Sequence, residues 1–208
     1  MGGVVHTYPS SSGFAGPSMA SRGRPAPPAI SSGPRDVAAC SEAVRGPAVE
    51  LVVASVTDPA AADLVGKAEA ELCERYQAPS IGRLRARELE PCAGGLFVVA
   101  YLERIPVGCG GYRRLEEGTA EVKRLFVEPA GRRRGVARAV LGYLHQQATV
   151  AGYRRMWLET GTLQPEAIAL YQSVGYQSTG YQRIGCFGEH GHDDRSRYFA
   201  LELAQASQ

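Results

Sequence analysis

Residues 122–137 read Val-Lys-Arg-Leu-Phe-Val-Glu-Pro-Ala-Gly-Arg-Arg-Arg-Gly-Val-Ala, and no other stretch limits the fold of this chain so tightly. An apolar strand-like run ends at Val127, a Glu128-Pro129 turn follows, and three arginines lead into small residues, Gly135 and Ala137, at the start of an apolar-periodic segment. A strand, a loop and a helix start in that order leave unpaired backbone N–H groups at the positive end of a helix, where small side chains let an anion approach. The spacing is neither GxxxxGK[ST] nor GxGxxG, so it supports neither ATP nor a dinucleotide. The string alone equally describes an exposed basic loop before a helix.

The surrounding pattern is mixed α/β. Val49–Val56 reads as a strand, and Asp58-Pro59 opens a helix to about Tyr76, with Asp58 as N-cap, Pro59 at the first helical position and Leu64, Val65, Ala68, Leu72 and Tyr76 on one face. Leu96–Leu102 and Val107–Arg113 form a hairpin turning near Glu103–Pro106, and Ala120–Val127 follows the Glu117-Gly118 turn as a third meander strand. A helix over Gly135–Ala151 stops at Gly152. A strand at Arg155–Glu159, a helix at Pro165–Val174 and a last strand near Arg197–Leu203 complete the series.

Residues 1–46 are rich in Gly, Pro, Ser and Ala. They lack periodic hydrophobicity and so cannot offset their chain entropy by burial, which predicts a disordered tail. A targeting segment and an over-extended start, with Met19 as an alternative first residue, are the other readings. The folded domain is expected over 49–203, with 204–208 a short C-terminal tail. Among 208 residues, 23 are basic and 21 acidic, a net charge of +2 that does not mark a nucleic-acid binder. Lys67 and Lys123 are the lysines; the remaining basic residues are arginines. The longest apolar run, Leu96–Leu102, is far shorter than the roughly 20 residues a membrane span needs. Five widely spaced cysteines without a CxxC pair fit reduced thiols and a cytoplasmic setting.

Arg132-Arg133-Arg134-Gly135-Val136-Ala137 resembles the (Gln/Arg)-x-x-Gly-x-(Gly/Ala) pyrophosphate motif of the GNAT superfamily of acyl-CoA-dependent N-acetyltransferases. Downstream, the run from Gln164 to Tyr176 is similar to the family's Asn-x-x-Ala-x-x-Leu-Tyr-x-x-x-Gly-Phe segment, with Gln164 at the usual Asn position. The run Leu158 to Glu166 is similar to a bacterial branch of small members. The resemblance covers about residues 49–203. It implies a GNAT-like α/β fold, a mixed, mostly antiparallel sheet of six to seven strands flanked by about four helices, that splays between the strands ending at Val127 and Glu159. It also implies acetyl-CoA as acyl-donor substrate, with no metal. Main-chain groups of Leu125 and Val127 would pair with the pantetheine amides, and an N–H near Phe126 or Val127 would serve the oxyanion. The amides from Arg133 through Gly135, Val136 and Ala137 to Arg138 would hold the pyrophosphate, aided by the charges of Arg132, Arg133 and Arg134. Gln164 would bond the cofactor or the main chain, although it is one methylene longer than the family's asparagine.

Acyl transfer to an amine needs a neutral nucleophile, a stabilised oxyanion and a proton for the departing thiolate. Glu121 lies at the position where many family members carry a general base; a structural ion pair with Lys123 or a neighbouring arginine is the alternative. Tyr171 matches the family tyrosine that protonates the thiolate, and otherwise is a packed aromatic at helical spacing with Ala167, Leu170 and Val174. Glu159 could orient the amine or be a surface carboxylate. Cys186–Asp194 fits no standard zinc spacing and reads as a polar loop beside the acceptor pocket. The expectation is an N-acetyltransferase acting on a primary amine of a small molecule by direct attack in a ternary complex, with no nucleic-acid or membrane partner and a homodimer left open. The alternatives are a protein N-terminal or lysine acetyltransferase, or a non-catalytic acyl-CoA-binding module.

Overall fold

The computed structural model describes residues 5–8, 48–80, 85–181 and 194–204. Helix α1 (Pro59–Tyr76) begins with proline at its first position, as its missing N–H costs nothing there. Asp58 is the N-cap, but its carboxylate turns back to accept from the Ser55 amide at 2.9 Å instead of capping the helix. Strand β2 (Val49–Val53) is shorter than expected, and β3 (Leu96–Leu102) and β4 (Ile105–Glu116) form the hairpin, turning through Glu103 and Arg104 at φ 52° and 68°. Two left-handed residues in a two-residue loop match the right-handed twist of the strands they join. β5 (Thr119–Val127) closes the meander.

Helix α2 (Val136–Val150) is capped by Gly135 at φ 81° and followed by Gly152 at φ 87°. β6 (Arg155–Gly161), α3 (Pro165–Ser173), the three-residue β7 (Gln177–Thr179) and β8 (Ser196–Glu202) follow. Where about four helices were expected, the described residues hold three α-helices; the segment before β3 forms two 3-10 turns, Ala86–Leu89 and Pro91–Ala93, with proline opening the second and Gly94 at φ 78° ending it. Four residues of the stretch expected to be a tail, Val5–Tyr8, form a strand, β1, antiparallel to β2. A β-branched and aromatic composition suits them to the open edge of a sheet.

The strands order as β1-β2-β3-β4-β5-β6-β8-β7 in one sheet. Neighbours are antiparallel except β5 and β6. β3 is apolar without interruption because both of its faces are covered. Val98 and Ala100 face α2 among Val140, Leu144, Met156, Leu158 and Phe199. Phe97 and Val99 face α1 among Leu64, Val65, Leu89 and Phe126. α1 lies over β3, β4 and β5.

Candidate active site

The parallel pair β5 and β6 is bonded only from Thr119 to Glu121 against Arg155 to Trp157. Beyond that the strands diverge, as the sequence reading expected, and the β6-facing edge of β5 has no strand partner among the described residues. The divergence coincides with a bulge. Cys109 pairs with Phe126 and Gly111 with Lys123, so Arg124 and Leu125 together oppose Gly110, and Arg124 adopts φ 54°. An inserted residue increases local twist and bends the strand, here away from β6. Gly110 lets α2 pack closely at this point, since a Cβ would lie 3.0 Å from Val140 Cγ1 and push it outward.

At one end of the gap stands the start of α2. A turn at Pro129–Gly131 carries the chain into Arg132, and Arg133 and Gly135 take φ 60° and 81°. The helical ladder begins with the Ala139 amide donating to the Gly135 carbonyl at 3.0 Å. The amides of Val136, Ala137 and Arg138 therefore precede it and point out of the helix end. A Cβ on Gly135 would meet nothing within 4 Å, so glycine is required for its backbone conformation and the space in front is open. These features fit an acyl-CoA diphosphate.

The arginines divide. Arg132 Nε donates to the Val127 carbonyl at 2.9 Å and its Nη2 pairs with Glu71; Arg138 Nη2 donates to Ser173 Oγ at 2.8 Å. Arg133 and Arg134 are exposed on the loop. A carbonyl has two lone pairs, so Val127 can accept from Arg132 and from a second donor. Leu125 and Val127 pack toward α2, and Phe126 toward α1.

The C-terminal half of α1 reaches across the gap. Glu69 pairs with Arg124 at 3.2 Å, Glu71 with Arg132, and Arg75 with Glu166 at the start of α3. Arg75 Nη1 also donates to the Leu163 carbonyl at 3.1 Å, and the Leu163 amide donates to Tyr76 Oη at 3.1 Å. Tyr76 lies so close over β6 that a Cβ on Gly161 would fall 1.7 Å from its hydroxyl. Sequence reasoning placed Tyr76 on the apolar face of α1 and gave no role to Glu71 or Arg75. The one available signal was Gly161 interrupting the end of a strand.

Glu121 is 1% exposed, with Oε2 accepting from Arg113 Nε at 2.7 Å and Oε1 paired with Lys123. Arg113 extends the chain to Glu88 at 2.6 Å. Partial burial would raise the Glu88 carboxyl, yet hydrogen bonds from Arg113 and Arg85 hold it below its ordinary range. Of the two readings open for Glu121, the contacts match the ion pair. Glu159, two residues past the paired Trp157, is exposed and accepts from Ser196 Oγ at 2.6 Å.

Tyr171 is buried, edge-on to Tyr176 with ring centres 5.7 Å apart and tilted against Phe199 at 6.3 Å. Burial pushes its phenol well above the ordinary tyrosine range, so it carries its proton at every working pH. Behind it, Tyr176 Oη and His145 Nε2 are 3.1 Å apart, and burial lowers the His145 imidazole to about 4. Gln164 is the N-cap of α3, but the side chain does not cap; its carbonyl accepts from the Ala167 and Ile168 amides at 3.1 Å. Among the described residues no group of three His, Cys, Asp or Glu could hold a metal ion, and no helix is long and apolar enough to cross a membrane. Of the Cys186–Asp194 loop, residues 186–193 lie outside the described residues.

The mixed sheet opens beside a bulged strand with the start of a helix at the opening, an arrangement that leaves room for an extended phosphorylated arm between two strands. The acetyltransferase (GNAT) family matches residues 65–176, and the chain belongs to that family, whose chemistry is acetyl-CoA-dependent acetyl transfer. It is 36% identical over 108 residues to an IAA acetyltransferase of Azospirillum brasilense, a match covering 51% of this chain and 67% of that protein. It is 40% identical over 88 residues to human N-acetyltransferase 8, covering 40% of this chain and 39% of that one. The chain thus spans well under half of the human relative it matches. A GNAT family acetyltransferase from Elizabethkingia anophelis, solved with acetyl-CoA bound, superposes with a TM-score of 0.54 at 17% identity over 74% of this chain and 98% of that one.

Proposed function

We propose that this chain transfers an acetyl group from acetyl-CoA to the primary amine of a small molecule, by direct attack with both substrates bound. The observation that carries the reading is the opening of β5 from β6 after Glu121 with the α2 start at its mouth. Acetyl-CoA supplies an activated thioester and a thiolate leaving group.

The amides of Val136, Ala137 and Arg138 receive the diphosphate at the helix terminus, with Arg133 and Arg134 adding attraction. Main-chain groups of Leu125 and Val127 hold the pantetheine arm, and an N–H of Phe126 or Val127 stabilises the carbonyl oxygen as charge develops on it. The amine nitrogen bonds to the carbonyl carbon, the carbon–sulfur bond breaks, and the proton shed by nitrogen passes to solvent. Tyr171 donates a hydrogen bond to the sulfur. With its phenol raised by burial, full proton transfer to a thiolate is uphill, so its part is to stabilise the thiolate until solvent protonates it.

Glu121 was a candidate general base, but both its oxygens already accept from cations. We assign it the task of holding Lys123 and Arg113 in place, and assign Glu159 the task of orienting the amine. The neutral amine fraction is then set by the acceptor's own titration. Free-thiol release from acetyl-CoA over an amine panel tests the reading. The limb over which kcat/KM rises with pH is expected to move with the acceptor's pKa and to persist in E121Q; a rising limb fixed across acceptors and lost in E121Q returns the base role to Glu121. Tight acetyl-CoA binding without turnover of any amine leaves a non-catalytic binding module.

A further inference from the structure

We infer that the acceptor is an amine carrying a carboxylate a few bonds from its nitrogen, as in an α-amino acid, with Lys123 receiving the carboxylate and Glu159 the amino group. The inference rests on the small-molecule reading above and narrows it.

Three observations carry it. The first is register. Glu121 pairs with Trp157 at the last bonded step of β5 and β6, and two residues further along each strand stand Lys123 and Glu159. Side chains two apart share a face of a strand, so a cation on β5 and an anion on β6 lie on the same face of the sheet, one on each side of the opening. The second is access. Val122, Met156, Leu158 and Tyr171 fill the α2 side of the opening as buried core, so a polar acceptor reaches it from the face that Lys123 and Glu159 share. The third is spare valence. Lys123 Nζ pairs with Glu121, which leaves donors on a side chain 27% exposed, and Glu159 Oε1 accepts from Ser196 while the residue stays exposed. Among the described residues no ion pair joins Lys123 to Glu159. Two opposite charges on one face, on either side of the opening and not paired with each other, complement a zwitterion placed between them.

Glu121 gives this arrangement its stiffness. Buried between Arg113 and Lys123, it fixes where the ammonium of Lys123 sits, and a fixed donor recognises a carboxylate better than one swinging in solvent. A plain alkylamine would satisfy Glu159 and leave Lys123 unanswered.

The test measures thiol release from acetyl-CoA with the twenty common amino acids, each beside its decarboxylated amine and its methyl ester. For the best acceptor, the free acid is expected to exceed the amine and the ester in kcat/KM by about tenfold to a hundredfold, the range of a charge-assisted hydrogen bond. In K123M that ratio falls to about one, K123R keeps most of it, and E159Q raises KM for acid and amine alike. A ratio near one in the wild-type protein overturns the inference, as does a ratio that K123M leaves unchanged. Turnover of amines regardless of a carboxylate removes this inference and leaves the small-molecule reading standing. Turnover of no amine in any set, with acetyl-CoA binding intact by calorimetry, removes both.

Discussion

The two ends of the gap are built from different material. The end we assign to the diphosphate is main chain: three amides and a glycine at φ 81° with open space where a β-carbon would stand. The end we assign to the acceptor is side chain, made of Lys123, Glu121, Arg113, Glu159 and the α1 residues that cross to β6 and α3. A main-chain site depends on backbone dihedrals that a short local string specifies. A side-chain site depends on which strands and helices come together, and it can be re-cut residue by residue without disturbing the sheet.

The contrast can be broken or sharpened by substitution. The largest effect is expected at the reacting sulfur, where Y171F should lower kcat by about a hundredfold while acetyl-CoA KM holds steady, in steady-state kinetics. An unchanged kcat would return Tyr171 to the role of packed aromatic. The support behind it should be sensitive to acid in a way the main-chain end is not. His145 is neutral in the fold, its imidazole lowered to about 4 by burial, whereas it titrates near 6.5 when unfolded. Its contribution is therefore present above pH ~6.5 and lost as pH falls toward 4, about 2 kcal/mol between pH 7 and pH 5. Urea unfolding at the two values should show that loss, and H145Q should flatten it. At the main-chain end, G135V imposes a left-handed conformation on a branched residue and should weaken acetyl-CoA binding by about tenfold in calorimetry. Smallest are R133A and R134A, each about threefold or less, with the difference vanishing in high salt as exposed charges are screened. If the arginine variants instead outweighed G135V, the diphosphate end would be a side-chain site after all.

The division between main chain and side chain also explains what could be read before the structure. Gly135 and Ala137, the Gly152 stop and the β3-β4-β5 meander follow from local periodicity and turn chemistry, the opening between β5 and β6 follows from the family resemblance of the two strings, and β1 follows from neither, because it lies in the stretch expected to be a tail. Tyr76 over Gly161 could not be read, because an aromatic at helical spacing looks like core whichever neighbour it meets. Arg132 counted as a phosphate ligand from its place in the motif, yet its guanidinium reaches Val127 and Glu71, a choice made by the position of α1. The short β7 has only three residues and no periodicity to announce it. The run before β3 holds residues that suit a helix, but Pro91 and the Gly94-Gly95 pair break it into single turns.

The contact between Tyr76 and Gly161 reaches beyond this one molecule. With a hydroxyl 1.7 Å from where a β-carbon would sit, no side chain can enter position 161 while the Tyr76 ring stays in place. A lineage that replaced the glycine would have to surrender the tyrosine ring in the same step, or lose the bridge from α1 to the Leu163 amide. The dependence runs one way, because a smaller residue can replace the tyrosine beside an unchanged glycine, and the tyrosine position is therefore where a descendant of this chain could widen the entrance for a bulkier acceptor.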